Sequence, residues 1–236
     1  MNAKKLSWIS TTFALCAVAF MQGCASTPRT VKDIDAKKKV IEIHPVNNAD
    51  FYTQKGALDV EKAKQAYFNL MTRFNYPIYI QLKTEAFNVT DFGLNDFAHV
   101  GKGCTLWVNK NYPTGGYFAR EIFLLPGQMI AEQKNVASEM GAPKHATLLV
   151  RYGSIYSFSV ENTLGFFPDG VQVPKSQEKF TKSNNCKLVH AGELFTIKKE
   201  DDWHFIMAGP DGAIVTEFST FFDPQGRQYS NPNIKH

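Results

Sequence analysis

Val60, Ala63, Ala66, Tyr67, Leu70, Met71 and Phe74 recur at helical spacing behind Asp59, a good N-cap, and Asn75-Tyr76-Pro77 ends the run. This pattern predicts one amphipathic helix whose apolar stripe packs on a core. From about Cys104 the apolar period shortens toward two. Strands are predicted at Cys104–Val108, Tyr117–Leu125, Thr147–Arg151, Ser154–Val160, Cys186–His190, Glu193–Ile197, Trp203–Ala208 and Ala213–Thr220. Turn residues at Pro113-Thr114-Gly115-Gly116, Pro168-Asp169-Gly170 and Gly209-Pro210-Asp211-Gly212 separate them. About eight strands after one helix predict a mainly β domain, a jelly-roll-like barrel or sandwich.

The first fifty residues follow neither period. Lys4 and Lys5 precede a mostly apolar stretch from Leu6 to Met21, shorter than the roughly 20 residues of a membrane span. Met21-Gln22-Gly23-Cys24 resembles a bacterial lipobox, which implies removal of residues 1–23 and acylation of Cys24. Residues 24–50 then read as a polar, flexible tether containing Lys37-Lys38-Lys39, and residues 51–236 as a single domain. The expected place is the bacterial cell envelope, lipid-anchored and facing the periplasm, at the outer membrane.

Composition narrows the function classes. The whole chain has 26 basic and 22 acidic side chains, and removing Lys4 and Lys5 leaves 24 against 22. That balance gives no reason to invoke nucleic acid. Hydrophobics at 44% and aromatics at 13% suffice for a sizeable core. Of four cysteines, Cys16 leaves with the leader and Cys24 is the lipidation site. Cys104 and Cys186 remain, as a disulfide in an oxidising compartment or as two separate buried thiols.

Phe87-Asn88-Val89-Thr90-Asp91-Phe92-Gly93-Leu94-Asn95-Asp96-Phe97 packs aromatics, carboxylates and a turn glycine into eleven residues. The run resembles a signature of the D-lyxose ketol-isomerase family. Further segments follow in that family's order. They are Tyr117 to Ile122 with Pro126-Gly127-Gln128, then Leu148 to Gly153, Trp203-His204-Phe205, and Val215 to Thr220 with Asp223 beyond. The resemblance spans Asp59 to Asp223. It implies a cupin-like jelly-roll barrel with an N-terminal helix, a sugar-like ligand, and a homodimer of the kind such barrels often form.

The family's reaction, as the resemblance implies it, moves a proton between adjacent sugar carbons while a divalent metal (Mn, Zn or Fe) polarises the oxygens. Three histidines and one glutamate hold that metal: a His-x-His pair on one strand, a glutamate soon after, and a late histidine. His204 matches the late histidine. Aligned on Lys144, the pair becomes Glu139 and Gly141 and the glutamate becomes Ala146. Aligned on Pro126-Gly127-Gln128, the pair becomes Gln133 and Asn135. Neither register supplies two histidines. A rearranged set of His204, Glu139 and His145 is a substitute of the two-histidine, one-carboxylate kind. Lys144 and Glu217 match positions lining the family's sugar pocket, with Glu217 as the base.

Three functions follow. The first is a tethered sugar-binding barrel with isomerase activity weak or lost. The second is an active metal-dependent aldose–ketose isomerase with a rearranged ligand loop. The third is an envelope interaction protein presenting the loops Ala131–Pro143 and Phe166–Asn185 to a partner.

Overall fold

The computed structural model describes residues 47–112, 115–160, 167–197, 199 and 201–235. The leader, Cys24, the tether up to residue 46 and Pro113-Thr114 lie outside the described residues, whereas Asn48–Phe51 forms a 3-10 turn. Among the described residues no helix is long and apolar enough to cross a membrane.

Helix α1 (Val60–Arg73) starts where the capping argument places it, with the Asp59 carboxylate accepting from the Lys62 amide. Its buried stripe of Ala63, Tyr67, Leu70 and Met71 meets Phe87, Phe97 and Phe123, all under 2% exposed. The remainder is one curled antiparallel sheet. Its strands are β1 (Phe87–Thr90), β2 (Lys102–Lys110), β3 (Tyr117–Leu124), β4 (Gln133–Asn135), β5 (Ala146–Ser159), β6 (Asn185–His190), β7 (Leu194–Thr196), β8 (His204–Thr220) and β9 (Arg227–Tyr229). The order β1-β2-β3-β8-β4-β9 is completed by β5, which pairs with β8 along nearly its whole length and with β6 and β7 on its other edge.

The expected mainly β barrel with a leading helix is the architecture found, with differences in detail. The predicted strand pairs Thr147–Arg151 with Ser154–Val160, and Trp203–Ala208 with Ala213–Thr220, are each one long strand. The register between β5 and β8 shifts near Gly153 and between Ala208 and Ala213, so the Gly209–Gly212 run is an irregularity within a strand rather than a turn. Gly153 sits at φ +72°, and a side chain there would collide with the Gly212 carbonyl. These bends let β5 and β8 serve both walls of the roll. Three short strands, β1, β4 and β9, were not predicted, since three or four residues barely display a period; β7, equally short, was predicted as part of the longer run Glu193–Ile197.

Alternation divides the sheet's two faces. Ile122, Leu124, Leu148, Val150 and Val215 face the barrel interior, whereas Phe123 and Ile214 face α1. Helix and sheet approach closely at Gly103, where an added Cβ would lie 2.8 Å from the rings of Tyr67 and Phe87. The Phe87–Phe97 run is a strand followed by a tight turn. Phe92, Gly93 and Asn95 all have positive φ, and the Asp91 carboxylate accepts from Gly93, Asn95 and the Tyr52 hydroxyl.

Cys104 and Cys186 are free, buried thiols, so the pairing weighed from sequence is not formed. They sit on β2 and β6, which β3, β8 and β5 separate in the sheet. Within Ala131–Pro143, residues 131–135 belong to the buried barrel wall rather than to an exposed loop. The described part of the later loop is stapled to that wall: buried Glu132 accepts from the amides of Lys182 and Ser183 and from the Ser183 hydroxyl.

Gln128 joins the helix to the sheet from full burial. Its Oε1 accepts from Tyr67 Oη (2.8 Å) and the Leu125 amide (3.0 Å), while Nε2 donates to the Phe97 carbonyl. Gln128→Leu strands these buried groups without partners, at a cost of about 3 kcal/mol. Urea unfolding of the variant should show the midpoint moving down with little change in slope.

Candidate functional site

Strands β3 and β8 place Arg120 directly opposite Glu217, both pointing into the barrel and only 5% and 3% exposed. Arg120 donates through Nε (2.9 Å) and Nη2 (2.6 Å) to Glu217 Oε2, and Lys144 Nζ donates to Oε1 (2.5 Å). Lys144 lies two residues before β5, at the same parity as inward-facing Ala146 and Leu148, which brings its ammonium to the carboxylate. Lys102 and Cys104 occupy the same face on β2; the ammonium of Lys102 lies 5.5 Å from the Phe92 ring centre.

Two spaces with shared walls lie here, the inner one against this cluster. An inner chamber of about 30 Å³ is walled by Arg120, Lys144, Glu217, Gln133 and His204. An outer cavity of about 500 Å³ is lined by Ser157, Ser159, Asn185 and Trp203 among others. Phe195, Ile197 and His204 border both. His204, 7% exposed, engages the Asp202 carbonyl through Nδ1 (2.8 Å), while its Nε2 has no hydrogen-bond partner among the described residues.

The electrostatics follow from burial and charge. Burial alone would raise the Glu217 pKa, but the Arg120 and Lys144 charges together hold it well below the usual carboxylate range. Lys144 is lowered to about 8 by burial, against the pull of Glu217 and with the push of Arg120. Lys102 is lowered to about 7, by burial first and then by Arg120. Burial also lowers the pKa of His204.

The positions expected to hold a metal do not fit one. Gln133 and Asn135 alternate inward on β4, with Gln133 in register opposite His204, where the Pro126-Gly127-Gln128 alignment puts the histidine pair. Both polar atoms of Asn135 are buried and unpartnered. In the Lys144 alignment the pair, Glu139 and Gly141, is exposed, and Ala146, the glutamate position, offers no donor. Two neutral amides, a methyl group and one imidazole, beside two buried cations, are a poor set for a divalent ion. The substitute set fails as well: Glu139 and His145 are exposed while His204 is buried in the barrel. Among the described residues no group of three His, Cys, Asp or Glu side chains is placed to hold a metal ion.

Of the residues singled out from sequence, the structure therefore joins Lys144, Glu217 and His204 around one chamber and leaves Glu139 and His145 outside. Sequence reading missed Arg120 and Lys102. Their signal was a basic residue at an inward position of a strand otherwise apolar on that face.

Glu217→Gln leaves two buried cations without their counter-ion and should cost about 3–5 kcal/mol in urea unfolding at neutral pH. The signs of the pH dependence follow from linkage. The depressed Glu217 pKa gives stability that is present above the unfolded value of about 4.3 and is lost as pH falls below it. The depressed Lys102 pKa acts with the same sign in a higher window: from about 7 upward the unfolded chain binds the extra proton, so stability rises with pH. The rise ends near roughly pH 10, where tyrosines of the unfolded chain ionise. Unfolding free energies between pH 7 and that limit should climb for the parent chain and climb less steeply for Lys102→Met, in which Lys144, lowered to about 8, still contributes.

No family model matches the chain. It is 30% identical over 176 residues to the D-lyxose/D-mannose isomerase of Thermosediminibacter oceani, covering 75% of this chain and 93% of that protein. It is 29% identical over 153 residues to a Thermofilum D-lyxose ketol-isomerase, covering 64% and 80%. Among solved structures, L-ribose isomerase of Acinetobacter sp. DL28, in complex with L-ribose, superposes with a TM-score of 0.59 at 16% identity, over 78% of this chain and 94% of that one. The Cellulomonas parahominis L-ribose isomerase with L-psicose gives 0.58 at 13%, over 77% and 94%. These structural likenesses establish the cupin sugar-isomerase fold, and the sequence relationship establishes descent: the chain belongs to the D-lyxose/D-mannose isomerase family.

Proposed function

We propose that this chain is a membrane-tethered, sugar-binding cupin in which metal-dependent aldose–ketose isomerisation is weak or lost. One observation carries the reading. In neither alignment do the metal positions implied by the family supply a second histidine: beside His204 they hold Gln133 and Asn135, or Glu139, Gly141 and Ala146, in a barrel whose centre is already occupied by Arg120 and Lys144. A proton taken from a carbon beside a carbonyl leaves an enediolate, and catalysis depends on stabilising that charge. Glu217 is also a poor base here, since two cations lower its proton affinity. The outer cavity has the volume and the hydroxyl and amide groups for a monosaccharide, and solved neighbours of the same fold contain L-ribose or L-psicose. Tethering rests on the lipobox-like Met21-Gln22-Gly23-Cys24 sequence.

The chain incubated with manganese and desalted should retain only substoichiometric metal, and should convert D-lyxose negligibly. Combining Gln133→His, Asn135→His and Ala146→Glu should raise the retained metal toward one per chain. Stoichiometric metal in the parent together with isomerisation, both lost on His204→Ala, would overturn the proposal. Radiolabelled palmitate fed to an expressing bacterium should enter the parent chain and not Cys24→Ala; equal labelling would sink the anchor.

A further inference from the structure

The basic groups of the barrel outnumber what Glu217 offsets. Lys102 from β2, Arg120 from β3, Lys144 ahead of β5 and Arg227 from β9 influence one another electrostatically around that single carboxylate. Aromatic rings fill the gaps between them. Phe118 and Phe222 lie 5.8 and 5.4 Å from the Lys144 ammonium, and Arg227 stacks 4.1 Å from the Phe222 ring centre. Lys102 is 6% exposed, and among the described residues its ammonium has no hydrogen-bond or ion-pair partner. Among the described residues Arg227 Nε, the Asn135 side chain and His204 Nε2 are buried without hydrogen-bond partners, as is the acceptor Asp223 Oδ2; of these only His204 lines the inner chamber, beside Arg120, Lys144 and Glu217. An uncompensated buried cation is costly, and burial of unpaired donors adds to the cost. Such a collection is relieved by an anion that also accepts hydrogen bonds.

We infer that the ligand is a sugar acid whose carboxylate enters the inner chamber between Lys144, Arg120 and His204 while its hydroxylated body occupies the outer cavity. This deepens the sugar-binding reading and rests on it. The inner chamber, at about 30 Å³, has room for about two water-sized groups, the two oxygens of a carboxylate. A phosphoryl group presents three peripheral oxygens and overfills it. The adjoining 500 Å³ holds a monosaccharide, with Ser157, Ser159 and Asn185 as hydroxyl partners and the Trp203 ring as an apolar wall. Because His204 borders both spaces, a carboxylate at the end of a sugar chain reaches the inner chamber without leaving the outer one. The protein cations thus stand where a sugar isomerase would use a metal, and they select for charge on the ligand.

Isothermal titration of the full chain with D-gluconate and D-glucuronate, beside D-glucose, D-lyxose, ribose 5-phosphate and inorganic phosphate, tests this. At least one of the two acids should bind at least about tenfold more tightly than either neutral sugar, with a dissociation constant that rises with salt. Lys144→Gln should weaken the acid about tenfold, more than it weakens either neutral sugar, and Lys102→Met, which removes an ammonium that lines neither space, should weaken the acid by a smaller factor. Since Lys102→Met removes an unpaired buried charge, its melting temperature should not fall, which separates a binding loss from unfolding. Neutral sugars binding as well as the acids would overturn the carboxylate inference while leaving the sugar-binding reading intact. Tighter binding of ribose 5-phosphate or phosphate than of either acid would overturn it in favour of a phosphate site. No binding by any sugar or sugar acid would remove both.

Discussion

A carboxylate buried at the centre of an apolar barrel must be neutralised, and that demand organises this molecule's interior. Glu217 meets it with Arg120 and Lys144, both within 3 Å and both as buried as itself. The three groups come from β3, β8 and the approach to β5, so the charge cluster exists only when those three segments adopt one mutual register. Hydrophobic burial supplies most of the driving force for collapse but tolerates many arrangements. A buried ion cluster tolerates few, because a displaced partner leaves an unpaired charge behind.

The same register governs the opposite face of the sheet. Arg120 and Glu121 are neighbours on β3, as Thr216 and Glu217 are on β8, and Arg120 pairs with Glu217 where Glu121 pairs with Thr216. Glu121 therefore points toward the helix side, where Thr216 and the Tyr76 hydroxyl donate to it. Burial raises its pKa, opposite to the shift at Glu217, because no cation there matches Arg120 or Lys144. A slip of one residue in either strand would exchange the two environments and leave both unsatisfied.

This arrangement also explains how a sugar-isomerase barrel persists with amides at the histidine positions. Two apolar cores, one on either face of the sheet, and the Glu217 cluster hold the barrel together. Gln133 and Asn135 keep the inward geometry of β4, so the pocket remains a pocket with different chemistry. Its interior is lined by Arg120, Lys144 and His204 together with Glu217.

Helix α1 was legible in the chain because fourteen residues show a full period and Asp59 caps them, and most of the long strands were legible because alternation survives over five or more residues. The mainly β class and the family both followed from such local and ordered patterns. The short strands β1, β4 and β9 have too few residues to carry a period, and the continuity of β5 and β8 through Gly153 and Gly209–Gly212 reads locally as two turns. Within the site, Lys144, Glu217 and His204 could be named from ordered resemblance, yet their meeting around one chamber depends on strand register, which is a long-range property. Arg120 and Lys102 looked like ordinary strand cations, and only burial set them apart. Glu139 and His145 had suitable chemistry for a ligand set but lie on the outside of the barrel. The sequence by itself determined which elements form and which chemical groups are available. Tertiary structure decided which of those groups share one buried space, because pairing across strands brings together residues nearly a hundred positions apart.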